Sequence, residues 1–233
     1  MGKKVILIEP GKYLGGLTSG GLGYTDIGNK YAITGLALDF YRRMGKHYGK
    51  FEQWIFEPYV AEEIFNEYIS RANIPVLFNY RIIKAEKNNG FIKEITVENS
   101  TSASASSNKT ITAKMYIDCT YEGDLMGKAG ISYTVGRESN AAYSETYNGV
   151  QLMEGHQFPD GIDPYKIPGD SSSGLLWGIS NDKLAATGTG DKKVQAYNYR
   201  ICLIDDPKNM KPIDRPENYD STRYELLVRL FKA

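Results

Sequence analysis

Cysteine, histidine and tryptophan occur only twice each in these 233 residues. Cys119 and Cys202 stand far apart, with no Cys-x-x-Cys and no His/Cys cluster. That spacing excludes a disulfide framework and a thiolate zinc site. It leaves the expectation of two packed thiols in a reducing, cytoplasmic compartment. His47 follows Arg42, Arg43 and Lys46 at what reads as a solvated helix end, where the helix dipole favours cations. Lys+Arg and Asp+Glu balance at 28 each, and no basic stripe offers the footprint that a nucleic acid needs. No apolar run is long enough to span a bilayer. Gly-x-Ser-x-Gly is missing, as is any Cys/His pairing, so the common nucleophilic hydrolase signatures are excluded. Trp54 and Trp177 read as core or interface anchors.

Glycine, by contrast, crowds the opening. In "KKVILIEPGKYLGGLTSGGLGYTDIG" an apolar run at residues 5–8 ends on Glu9 and gives way to a Gly-rich loop over 10–33. A continuous apolar run is expected to be a parallel strand covered on both faces. An acidic residue at the end of such a strand can accept hydrogen bonds from ribose hydroxyls in a dinucleotide-binding sheet. Glycines let backbone N–H groups approach a ligand and form anion-binding concavities. Gly15, Gly16, Thr18, Ser19, Gly20 and Gly21 are the candidates here; the alternative is a surface loop with no ligand.

Further along, Thr34 is placed to cap a helix to about residue 48, with Gly49 as its stop. Pro58 opens a second helix to about residue 71, whose Val60, Ile64 and Tyr68 recur every fourth position beside Phe65 and Ile69. Strands are predicted over 76–80, 81–87, 91–98 and 114–118, the middle two joined at Asn88-Asn89-Gly90. "STSASASSN" is a low-complexity loop tip. A short helix is expected from about 122 to 129, then an irregular β-containing region from 131 to 220, and an amphipathic helix from 223. Ten of the 18 tyrosines follow residue 115. Tyrosine serves both half-buried β packing and ligand surfaces, so a Tyr-rich carbohydrate- or protein-binding module is a second reading of function.

In their order, three stretches resemble the FAD-dependent oxidoreductases of glutathione-reductase-type fold, on the fumarate-reductase-like side. "VILIEPGKYLGGLTSGG" is similar to the family's second strand, ribose-binding acid and flavin-side loop. "VLFNYRIIKAEKNNGFIKEITVEN" is similar to the β-meander that offers a backbone contact to adenine, near Ile82. "AKMYIDCTYEGDLMGKAG" is similar to the strand, turn and helix that close the FAD domain. With "YTVGRES" and "HQFPDGIDPY", the chain resembles a bacterial group of such enzymes from end to end. The resemblance implies an α/β fold, with an incomplete FAD-binding Rossmann-like domain and β-meander in 1–130 and part of a β-containing substrate or cap region in 131–233. It also implies FAD as cofactor and a small organic substrate. Glu9 would hold the adenosine ribose, residues 15–21 the flavin side, and Thr120, Gly123 and Asp124 the closing turn. Arg137 and His156 are candidates near the substrate face. An ion pair with Glu138 or another acid is the plainer role for Arg137, and a turn-rich loop is the plainer setting for His156.

The chain departs from the family pattern in two places. Tyr121 stands where the closing turn has glycine. The Gly-x-Gly-x-x-Gly turn does not precede residues 5–8. The chain is therefore expected to be a fragment that begins at the second strand of a binding unit and also lacks the family's C-terminal part. The exposed strand edges are expected to favour self-association.

Overall fold

The computed structural model describes residues 2–155, 157–195, 200–201 and 203–233. Two compact units divide the chain: Met1–Tyr133 with Asn198–Pro207, and Thr134–Tyr197 with Lys208–Ala233.

The first unit opens with β1 (Leu7–Glu9), which pairs in parallel with β2 (Val76–Phe78), Leu7 opposite Val76 and Glu9 opposite Phe78. Two helices lie between them in sequence, α1 (Gly35–His47) and α2 (Pro58–Arg71). Thr34 holds the extended N-cap position of α1, although its hydroxyl makes no capping bond. Gly49 leaves the helix with φ 66°. Pro58 sits in the first turn of α2, where its missing N–H costs nothing. The apolar stripe of α2 packs on α1: Phe40, Met44, Phe56, Val60, Ala61 and Ile64 are buried, with Phe65 and Tyr68 against them. Met44 and Val60 are almost wholly enclosed, each burial stabilising by about 1.5–3 kcal/mol. A polar clasp closes the helix pair. Asp39 Oδ2 accepts from Arg43 Nε at 2.7 Å and from the Tyr68 hydroxyl at 2.7 Å, while Arg43 Nη1 donates to Glu67 at 2.8 Å. Burial, together with the bond to Asp39, pushes the Tyr68 hydroxyl up to about 12.

The chain turns at Asn79 (φ 59°) into an antiparallel meander of β3 (Tyr80–Asn88), β4 (Phe91–Asn99) and β5 (Lys109–Thr112). Asn89 and Gly90 both take positive φ, 51° and 80°, as a two-residue hairpin turn of matching twist requires. Ile95 and Val97 of β4 are buried. A short helix, α3 (Asp124–Lys128), follows.

Two strand expectations are corrected. Residues 5–8 are not covered on both faces: the strand lies at Leu7–Glu9, half-buried, with Val5 53% and Ile6 44% exposed. Residues 114–118 form no strand; Met115 is 77% and Ile117 80% exposed. The local strand is β5 instead, because β4 offers it a ladder. Tyr116 folds back on that sheet, its hydroxyl donating to Lys93 O and accepting from Ala113 N, both at 2.9 Å.

The second unit holds α4 (Asn140–Tyr143), a hairpin of β6 (Tyr165–Ile167) and β7 (Asp170–Leu175), and the terminal helix α5 (Glu225–Lys232). Arg229 fastens α5 to the hairpin. Its Nη1 donates to Asp163 O at 2.9 Å and Tyr165 O at 2.7 Å, and its Nε donates to Glu225 at 2.9 Å. Among the described residues no helix is long and apolar enough to cross a membrane.

Candidate functional site

Glu9 ends β1, and its Oε1 accepts from Gly11 N at 2.7 Å, which folds the chain into a tight turn. That turn is tied to the start of the meander. Gly11 O accepts from Asn79 N at 3.0 Å, Pro10 O from the Ser100 hydroxyl at 2.5 Å, and Asn79 O from Ser100 N at 2.8 Å. The Asn79 Oδ1 is buried there without a protein partner. Ile82 lies farther along β3 opposite Val97, where the ladder slips register before Lys84. Such a bulge takes backbone groups out of regular pairing.

The Gly-rich loop is an ordered turn. Thr18 N donates to Gly15 O at 3.1 Å and Gly20 N to Leu17 O at 3.2 Å, within a π-type turn at Thr18–Leu22. The Ser19 hydroxyl donates to Leu14 O, so the turn itself uses it. Gly15 has φ 104°, and a Cβ there would lie 2.4 Å from the Phe65 ring. Close packing on α2 thus requires glycine at 15 independently of any ligand. Gly16 has φ 54° and precedes Leu17 in right-handed helical geometry; Thr18 N–H is spent on Gly15 O, so the donor this turn presents is Leu17 N–H. A Cβ on Gly16 would lie 2.4 Å from the Tyr121 hydroxyl. At Gly20 a Cβ would meet nothing within 4 Å.

Residues 118–126 make a second hydrogen-bonded turn. Asp118 Oδ1 accepts from Thr120 N at 3.0 Å and from its hydroxyl at 2.7 Å, and Oδ2 accepts from Met126 N at 2.9 Å. The Thr120 Oγ1 in turn accepts from Asp124 N at 2.7 Å, and Gly123 caps α3 with φ 70°. Partial burial works against the Asp118 charge, but the bonds from Met126 and Thr120 outweigh it and hold the carboxyl below its ordinary range. Asp118 lies in the stretch that resembles the closing turn but is not among the candidate residues, although its Asp-x-Thr spacing is a turn signal. Tyr121 joins the two turns: its hydroxyl accepts from Leu17 N at 2.6 Å, 104 residues away. Beside the second turn lies a cleft of about 300 Å³, lined by Glu122, Gly123, Asp124 and Tyr133 among others, at the small end of ligand-pocket sizes.

In the second unit Arg137 is paired with Asp191 rather than Glu138. Its Nε donates to Oδ1 at 3.0 Å and its Nη2 to Oδ2, and the two backbones also exchange hydrogen bonds. Gly188 and Thr189 spend their carbonyls on Asn140 N and Val150 N, and Gly188 N donates to Val150 O. That segment is internal bracing. His156 and Cys202 lie outside the described residues.

The FAD dependent oxidoreductase family model matches residues 1–233. The chain belongs to that family. Its cofactor is FAD and its fold is α/β. Membership favours an oxidoreductase over a carbohydrate- or protein-binding module. Comparison with curated proteins gave no match, nor did comparison with solved structures.

The residues present fit such a cofactor. At Gly16 the positive φ disfavours a side chain and the atom nearest a Cβ is the exposed Tyr121 hydroxyl, while the neighbouring Leu17 N–H already points at that oxygen. Beside the Glu9 turn, the buried Asn79 Oδ1 lacks a donor, and a carboxylate that spends one oxygen on Gly11 has a second to offer.

Proposed function

We propose that the first unit carries the adenosine-facing and flavin-facing contacts of an FAD site, and that the enzyme oxidises or reduces a small organic substrate. FAD, when bound, supplies the electron exchange. Glu9 accepts from the adenosine ribose hydroxyls, held in place by its bond to Gly11. Ile82 meets adenine through its backbone at the β3 bulge. Gly15, Gly16, Thr18, Ser19, Gly20 and Gly21 shape the flavin-side turn, with Leu17 N–H as its donor. Thr120, Gly123 and Asp124 form the closing turn, and Asp118 fixes its geometry. On this reading the substrate face falls to the second region, with Arg137 and His156 as candidates. Arg137 holds Asp191 through Nε and Nη2, and its Nη1 donors would meet a substrate carboxylate.

The observation that most supports this reading is the hydrogen bond from Leu17 N to Tyr121, which joins the two turns within one unit. A side-by-side titration with FAD and FMN tests it. FMN lacks the adenosine half, so the Glu9 and Ile82 contacts predict at least about tenfold tighter binding of FAD, equivalent to about 1.4 kcal/mol. Equal affinity would remove Glu9 and Ile82 from the site.

A further inference from the structure

The Tyr121 side chain occupies a particular place. It is 78% exposed, so burial of its ring does not explain its position. Its hydroxyl nonetheless reaches the turn at Gly16, accepts from Leu17 N at 2.6 Å, and stands 2.4 Å from where a Cβ on Gly16 would fall. A backbone N–H presented in this way takes an oxygen acceptor, and here the chain supplies that acceptor itself.

We propose that Tyr121 is an internal plug of the flavin-side turn: its hydroxyl satisfies Leu17 N–H when no cofactor is bound, and cofactor oxygen and tyrosine hydroxyl compete for that donor. The inference rests on the FAD reading above. It gives Tyr121 a role that glycine at the same place could not fill. A glycine would leave Leu17 N–H to water; tyrosine keeps the turn ordered and makes FAD displace a protein contact on entry. The geometry allows the exchange, because the ring is exposed and has room to swing away without opening the α1–α2 core.

Tyr121→Phe removes the hydroxyl and keeps the ring, and Tyr121→Ala removes both. Amide hydrogen exchange at Leu17 in the full chain without FAD reads the plug directly. Exchange is expected to be slow in wild type and faster in both variants, with melting temperatures little changed. Unchanged Leu17 exchange would overturn the plug whatever FAD does. Fluorescence titration then reads the competition: Tyr121→Phe is expected to bind FAD roughly 2- to 10-fold more tightly, the worth of one hydrogen bond no longer displaced. Equal or weaker binding by Tyr121→Phe would overturn the competition and make Tyr121 a bystander or a direct cofactor contact. If neither protein bound FAD while Leu17 exchange still separated them, both the displacement step and the flavin reading of this turn would fall, and the tyrosine–Leu17 contact alone would stand.

Discussion

Replacing Glu9 by alanine is expected to weaken FAD binding about 10- to 100-fold. A hydrogen bond to a charged acceptor contributes about 1.5–3 kcal/mol, and each 1.4 kcal/mol is a factor of ten in affinity. The variant also loses the acceptor for Gly11 N, a bond to the same carboxylate at a half-exposed turn. That loss costs about 1.5 kcal/mol, the low end for a charged acceptor, and lowers the melting temperature by about 3–6 °C. Glu9→Gln keeps the acceptor and removes the charge, so it should fall between wild type and alanine. Isothermal titration alongside a thermal melt separates the two effects. Unchanged affinity in Glu9→Ala would take the ribose role away from this residue.

The second large effect is on stability. Gly15→Ala is expected to destabilise the first unit by about 2–6 kcal/mol. A side chain at φ 104° costs about 1–3 kcal/mol. Its Cβ would also sit 2.4 Å from the Phe65 ring, and overpacking of that kind costs about 1–3 kcal/mol more. Phe65 cannot retreat easily, because it stacks on Phe40 with ring centroids 4.9 Å apart. Gly20→Ala is the matched control, since its Cβ meets nothing and its φ is not positive. It should change stability by no more than about 0.5 kcal/mol. Urea denaturation midpoints decide the contrast; equal midpoints for the two variants would show that the loop does not pack on α2.

These two glycines mark how far sequence reading reached. Both read as cofactor-loop glycines, because a bare backbone is what the sequence displays. The structure divides them: Gly15 answers to Phe65 on a helix fifty residues away, and Gly20 answers to no packing at all. Features carried by local chemistry were legible. Pro58 and a four-residue apolar spacing placed α2, and Asn89-Gly90 placed the hairpin. Features decided by a distant partner were not. Residues 114–118 have the composition of a buried strand, yet a strand forms only where a neighbouring ladder exists, and β4 pairs with 109–112. Asp191 as the partner of Arg137, and Leu17 as the partner of Tyr121, lie 54 and 104 residues away. Nothing in the local spacing announces either.

The central claim, an FAD site built on Glu9 and the Gly15–Leu17 turn, is tested most directly by titrating the full 233-residue chain with FAD while following flavin fluorescence and the visible spectrum. The account predicts saturable binding with a shifted flavin absorption band that Glu9→Ala weakens. A linear, unsaturated response with the spectrum of free FAD would contradict it.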